Sequence, residues 1–485
     1  MHHAKMISHV QLAQDMMLAK QVELDLLYDQ GVYCPLLLHH VVFLFAPAIE
    51  VGMMRRQSTP YNLQIRLITI LWTATVGYWI IQHCRTVYFY NGFVIGLVAS
   101  SAILRATSLL LFRDPETEFL RVAEHRGEQE PENGDKAQTT YYSTVFNWGH
   151  ARGDPCHRRL VEQLNDADNK RAKASDFAAP MMTLLRAVLQ LIKASLTLEL
   201  LSIFTSADPY FYGDITADLH VPGLRLTFPV SSPFTQTWRT LLGIFRMCLG
   251  LTYAKCIFNT ITLAFCTFLP KAGYTVFRIQ THGVWMYPNP FGPAIMLLDD
   301  GLIGAWGSFW HQAYRFDFNS CARFIIRSCL PASYQGSPPF KATVHVLVAF
   351  SLSGLIHALA SYTQFAETNA FTGVGWFFLL QGFGAVAQVL WTRVVLRKLR
   401  GYVHVSRRTA RIANAVFLFC WFCVTGPVLF DEYARGLLWV PAVSPRCLLQ
   451  GLGMSFAGSP CVRCKGYPVQ FWKGNSWWTS GIRLL

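Results

Sequence analysis

Five stretches of this 485-residue chain run for 18 residues or more without an Asp, Glu, Lys or Arg: 67–84 (LITILWTATVGYWIIQHC), 86–104, 343–365, 371–392 and 412–430. A helix of about 20 residues, rising about 1.5 Å per residue, crosses the roughly 30 Å hydrocarbon layer of a bilayer. Three further segments are apolar but interrupted: 34–49 by His39 and His40, 186–204 by Lys193 and Glu199, and 240–268 by Arg246 and Lys255. Inside lipid every backbone polar group must be satisfied within the span, which favours helices. The expected fold is therefore all-α: a polytopic membrane protein of about eight to nine transmembrane helices. A composition 52% hydrophobic and 14% charged argues against two or three soluble domains.

Charge gives an orientation. Loop 50–66 carries Arg55, Arg56 and Arg66, loop 269–342 has six Lys/Arg against three acids, and 393–411 (RVVLRKLRGYVHVSRRTAR) has seven basic residues and no acid. The intervening loops reverse the balance, with Asp208, Asp214 and Asp218 in 205–239 and Glu367 in 363–370. Basic loops stay cytosolic, so the N-terminus is expected in the lumen. Residues 1–33 form a polar N-terminal segment without a signal-peptide pattern, 34–112 the first spans, and 113–180 a cytosolic insertion that includes the acidic stretch EHRGEQEPENGDK. Residues 181–457 make the main membrane core and 458–485 a C-terminal tail.

The formal charge of +14 does not imply nucleic-acid binding, because the basic runs border spans. Orientation and attraction to anionic lipid explain them, and a phosphorylated cytosolic ligand would use them as well. Thirteen cysteines are scattered, and Cys461-x-x-Cys464 has no second pair at metal-ligand spacing, so no metal site is expected.

Two histidines stand out. His357 lies in TVHVLVAFSLSGLIHALASY (343–362), a span without charged residues. An ionisable group at that depth is a functional candidate, the alternative being a neutral imidazole bonded to a neighbouring helix. Ser353 is four residues earlier on the same face, able to touch substrate or a bridging water, and Gly354 opens space for another backbone or a ligand. A neutral imidazole in a dry cavity suits a general base acting on an alcohol. His311 lies in GAWGSFWHQAYR (304–315), where Trp306 and Trp310 are four apart, as are His311 and Arg315 if the segment is helical. An interfacial aromatic anchor would explain the tryptophans and the arginine, but not His311.

The two segments together resemble the membrane-bound O-acyltransferase superfamily, in its wax-synthase-like branch. That branch carries W-G-x-x-W-H-Q followed by Arg, matched by Trp306, Gly307, Trp310, His311, Gln312 and Arg315. It also carries S-G-h-h-H, with h apolar, matched by Ser353, Gly354, Leu355, Ile356 and His357. TGPVLFDEYARGLLW (425–439) is similar to a segment of fungal terpenoid and meroterpenoid pathway O-acetyltransferases. The resemblance covers roughly 240–457. The family usually has two basic residues where this chain has Ser308 and Phe309, so Arg315, Arg323, Arg327 or the 393–411 run would have to meet the donor's phosphates.

The resemblance implies helices around an acyl-transfer tunnel in the endoplasmic reticulum membrane, with no bound cofactor. Acetyl-CoA, or another acyl-CoA, would enter as co-substrate from the cytosol and a hydrophobic alcohol from the bilayer. By analogy His357 takes the acceptor's proton, and His311 positions a reactant or donates to the developing oxyanion. Trp306 and Trp310 would line the tunnel with Ser353 and Gly354. The expected function is acetyl transfer to a terpenoid-class alcohol in secondary-metabolite biosynthesis. The alternatives are a long-chain wax-ester synthase and, from another class, a proton-coupled transporter.

Overall fold

The computed structural model describes residues 2–53, 61–87, 92–112, 178–221, 226–269, 291–311, 313–331, 333, 337–392, 406–439 and 469–484. Its helices are α1 (His2–Asp29), α2 (Leu38–Met53), α3 (Tyr61–His83), α4 (Phe93–Leu110), α5 (Ala178–Ser206), α6 (Pro233–Phe268), α7 (Ile295–Asp299), α8 (Gly301–Gly304), α9 (Arg315–Ser328), α10 (Pro338–Tyr362), α11 (Trp376–Leu390) and α12 (Arg407–Arg435). Helices dominate, but the all-α expectation needs a small correction. Leu219–His220 (β1) pairs antiparallel with Thr227–Phe228 (β2), and Val469–Trp472 (β3) with Gly481–Leu484 (β4).

Among the described residues, six helical segments are long and apolar enough to cross a membrane: Leu63–His83, Phe93–Leu110, Pro233–Phe265, Pro338–Tyr362, Ala370–Leu390 and Arg407–Arg435. The two other expected spans, 34–49 and 186–204, fall on helices α2 and α5, which are not among these six. Residues 113–177 of the expected cytosolic insertion (113–180), most of the 393–411 basic run and the Cys461/Cys464 pair lie outside the described residues.

Local chemistry sets the helix starts. Ser232 caps α6, its hydroxyl accepting from the Phe234 amide, and Pro233 follows at the first helical position, where its missing N–H costs nothing. Ser406 caps α12 through the Thr409 amide at 3.1 Å. The third apolar run is displaced from its expected 86–104: its helix begins at Phe93, after Gly92 at φ 83, and continues through Arg105 to Leu110. The charge that ended the run in the sequence is ion-paired in the fold.

Helix α10 is central, packing against α4, α9, α11 and the π-helical segment Ala370–Gly375 that leads into α11. The crossing with α4 is at backbone distance. A Cβ on Gly96 would stand 2.3 Å from the Leu359 carbonyl oxygen and 2.8 Å from Ala360 Cα. The Gly96 amide donates to Thr363 Oγ1 at 3.0 Å, and that hydroxyl donates to the Gly92 carbonyl at the same distance. Gly96→Val is therefore expected to abolish the folded, monodisperse peak in detergent size-exclusion chromatography, because both obstacles are main chain; a normal peak would contradict the crossing. The largest apolar cluster gathers Phe93, Leu242, Ala360, Phe377, Phe378, Phe430, Tyr433 and Trp439 from five helices and the chain after α12, with Trp306 packed on it.

Candidate active site

His357 stands 19 residues into α10 (357 − 338) and five from its end (362 − 357). Its Nδ1 lies 2.8 Å from the Ser353 carbonyl oxygen. A carbonyl only accepts, so Nδ1 carries the proton, and in the neutral ring Nε2 is left with its lone pair as the acceptor. The contribution of Ser353 seen here is its main-chain carbonyl. Gly354 resolves toward the first of its two openings: its missing Cβ would sit 2.9 Å from the Gly375 carbonyl oxygen, so the glycine admits a backbone. The His357 ring lies against Phe378 on α11, centroids 4.3 Å apart.

The segment carrying His311 is built from a polar knot. Gln388 Oε1 accepts from the Leu302 amide at 2.9 Å while its Nε2 donates to the Asp300 carbonyl at 3.1 Å. Asn414 Nδ2 donates to the carbonyls of Leu298 and Asp299 at 2.9 and 3.0 Å. Arg411 grips the Asp299 carboxylate through Nε at 2.7 Å and Nη2 at 3.2 Å, and Arg407 joins at 3.4 Å. Those hydrogen bonds hold the Asp299 carboxyl below the ordinary carboxylate range. The described end of the basic run thus ties down the turn before the site. Gly301 makes that turn at φ 60, a conformation that favours glycine.

Residues Ala305–Phe309 then form a π-helical turn, closed by the Trp310 amide donating to the Ala305 carbonyl at 2.7 Å. Trp310 itself is extended, and α9 starts afresh at Arg315. The expectation that His311 and Arg315 share a helix face is therefore corrected, because the helix breaks between them. Isolated π-turns recur at functional sites. Trp306 points into the bundle, its ring centroid 5.8–6.3 Å from those of Phe350, Phe377, Phe378 and Phe422. An anchor at the headgroup level would not meet four rings from three spans. The indole N–H groups of Trp306 and Trp421 both donate to Gln381 Oε1, at 3.4 and 3.1 Å, and Gln381 Nε2 donates to Thr425 Oγ1 at 3.0 Å.

A line of rings joins the two histidines: His357 to Phe378, Phe378 to Trp306 at 6.1 Å, Trp306 to Trp310 at 5.7 Å, and Trp310 to His311 at 5.4 Å. His311 Nδ1 is buried with no hydrogen-bond partner among the described residues. Burial, then the electrostatic influence of His357, push the His311 imidazole down to about 3. The charge of His357 thus reaches the His311 ring. Gln312 lies outside the described residues.

Three arginines divide by geometry. Arg315 Nη1 donates back to the Gly307 carbonyl at 3.3 Å, bracing the π-turn. Arg315 and Arg323 both act electrostatically on His345, whose Nε2 lies 2.7 Å from Asn319 Oδ1. Arg327 is in the last turn of α9, where a cation complements the helix dipole. Sequence reasoning missed Phe378, Gln381, Gln388, Asn414 and Arg105. Gln381 and Gln388 did leave a signal, two amides seven residues apart in an apolar run.

Residues 287–380 match the model of the membrane bound O-acyl transferase family. The matched stretch contains the π-turn, His311, α9, α10 with His357, and Phe378. The match supports membership of that family, and with six membrane-length helices it fits an integral membrane protein. No curated protein and no solved structure matches the chain.

Proposed function

We propose that this protein is a membrane-bound O-acyltransferase that moves an acetyl group from acetyl-CoA to a hydroxyl of a hydrophobic, terpenoid-class natural product. The observation that carries the reading is the His357 tautomer: an imidazole in a span, its Nδ1 committed to Ser353, leaving Nε2 as a base beside an aromatic wall that leads to His311. In the proposed step, Nε2 takes the hydroxyl proton as the alcohol oxygen attacks the thioester carbonyl carbon. The C–S bond breaks, an ester C–O bond forms, and the coenzyme A sulfur leaves with the proton. His311, neutral and with a buried Nδ1 awaiting a partner, serves the carbonyl oxygen as its charge develops. Arg315, Arg323, Arg327 or the 393–411 run would meet the donor's phosphates in this reading.

Eight membrane crossings, an N-terminus in the lumen and residence in the endoplasmic reticulum complete the reading, as does a place in the wax-synthase-like branch. The acetyl donor and terpenoid acceptor rest on the resemblance of residues 425–439. A long-chain wax synthase would use the same histidines. Microsomes containing the protein, given labelled acetyl- or palmitoyl-CoA with terpenoid or fatty alcohols, separate the two. The expected product is the acetylated terpenoid; palmitoyl esters of fatty alcohols would select the wax synthase, and no ester from any pair would refute acyl transfer.

A further inference from the structure

His311, Ala313 and Tyr314 lie outside any helix, between the π-turn and α9. This segment is held instead from across the bundle by α4. Ser101, Arg105 and Ser108 are spaced by four and three residues and so share one face of that helix. Ser101 Oγ donates to Tyr314 Oη at 3.0 Å. Arg105 Nη2 donates to the Ala313 carbonyl at 3.3 Å and pairs with Asp317 Oδ2 at 3.0 Å. Its guanidinium lies 5.7 Å from the Phe316 ring centroid. Ser108 Oγ reaches the Asp317 carbonyl at 3.5 Å.

This clamp is mostly withdrawn from solvent, the Arg105 and Asp317 side chains being 20% and 1% exposed. Burial pushes the Asp317 carboxyl up to about 6 despite the opposing Arg105 charge. An ion pair so placed gains little stability over apolar packing but fixes geometry, since removing one partner strands the other charge. The geometry it fixes is the site's. Ala313 is two residues from His311, and the Tyr314 ring centroid is 6.0 Å from that of the imidazole. Helix α4 lies outside the family-matched stretch 287–380.

We infer that Arg105 is a positioning residue for acyl transfer: by clamping residues 313–317 to α4 it sets where the His311 imidazole stands relative to His357. The inference rests on the function proposed above, so its test has two independent readouts, hydrogen exchange and steady-state kinetics on the full-length protein. In Arg105→Ala, peptides covering 309–318 are expected to exchange faster while those of α10 stay unchanged. For the acetyl-CoA reaction kcat is expected to fall about tenfold to a hundredfold, the cost of a displacement of about 1 Å, with KM for the donor within about twofold. Arg105→Lys, which keeps the charge and loses the fork, is expected to recover part of kcat. Should Arg105→Ala fail to insert, Tyr314→Phe and Ser101→Ala carry the test through the same two readouts, with a smaller fall in kcat. Unchanged kcat in the variants that insert, or equal loosening of α10, overturns the inference. An unmodified protein inactive with every donor and acceptor instead sinks the acyl-transfer reading, even where 309–318 loosens.

Discussion

Replacing His357 by alanine is expected to reduce ester formation by about 10²- to 10⁴-fold, the range a positioned general base supplies, while the protein still inserts and binds the donor. In the proposed step the alcohol loses its proton beside a stretch, 343–365, that carries no charged residue, and Nε2 of this ring is the acceptor left open once Nδ1 is bonded to the Ser353 carbonyl. His357→Gln is expected to be equally inactive, since an amide can fill the space beside Phe378 but cannot take a proton. Product counting with labelled acetyl-CoA checks the rate, and equilibrium binding of the labelled donor checks the site. Persistent ester formation would remove His357 as the base. Loss of proton-coupled uptake in liposomes, in a protein that forms no ester, would favour the transporter.

His311→Ala is expected to cost about 10²- to 10³-fold in kcat, the loss found when one oxyanion donor is removed. Its buried Nδ1 has no partner among the described residues, so removing the ring breaks no hydrogen bond of that nitrogen, and the loss is expected mainly in the reaction. His311→Asn keeps an N–H donor and is expected to recover part of the loss. The ring's behaviour with pH follows from its surroundings. Burial holds it down to about 3, below the ordinary histidine value of about 6.5, so the unfolded chain binds the extra proton first. The stability this ring contributes is complete above about pH 6.5 and drains away as pH falls toward 3. Kinetics between pH 6 and 8 should show no limb belonging to His311. A limb near pH 6.5 that vanishes in His311→Asn would contradict its neutrality.

Much of the architecture is written in hydropathy. The runs at 67–84, 343–365, 371–392 and 412–430 each coincide with a membrane-length helix and overrun its end by at most three residues, because uninterrupted apolar sequence leaves a chain in lipid few options. The break at Trp310 was not legible, since a π-turn followed by an extended residue arises from tertiary demands on Trp306 and Gln381, which local spacing does not encode. Both histidines were visible as residue types out of place. Their shared wall was not, because Phe378 reads in the sequence as one more apolar residue of α11. Arg105 was invisible for a related reason: its partner Asp317 is 212 positions away (317 − 105).

The most direct measurement is a structure of the protein with a non-hydrolysable acetyl-CoA analogue bound. The acyl carbon is expected between the two imidazoles, with His311 Nδ1 turned to the carbonyl oxygen and His357 Nε2 facing the space an alcohol would enter. An acyl group seated away from residue 357, or walled off from it by Phe378, would contradict the account.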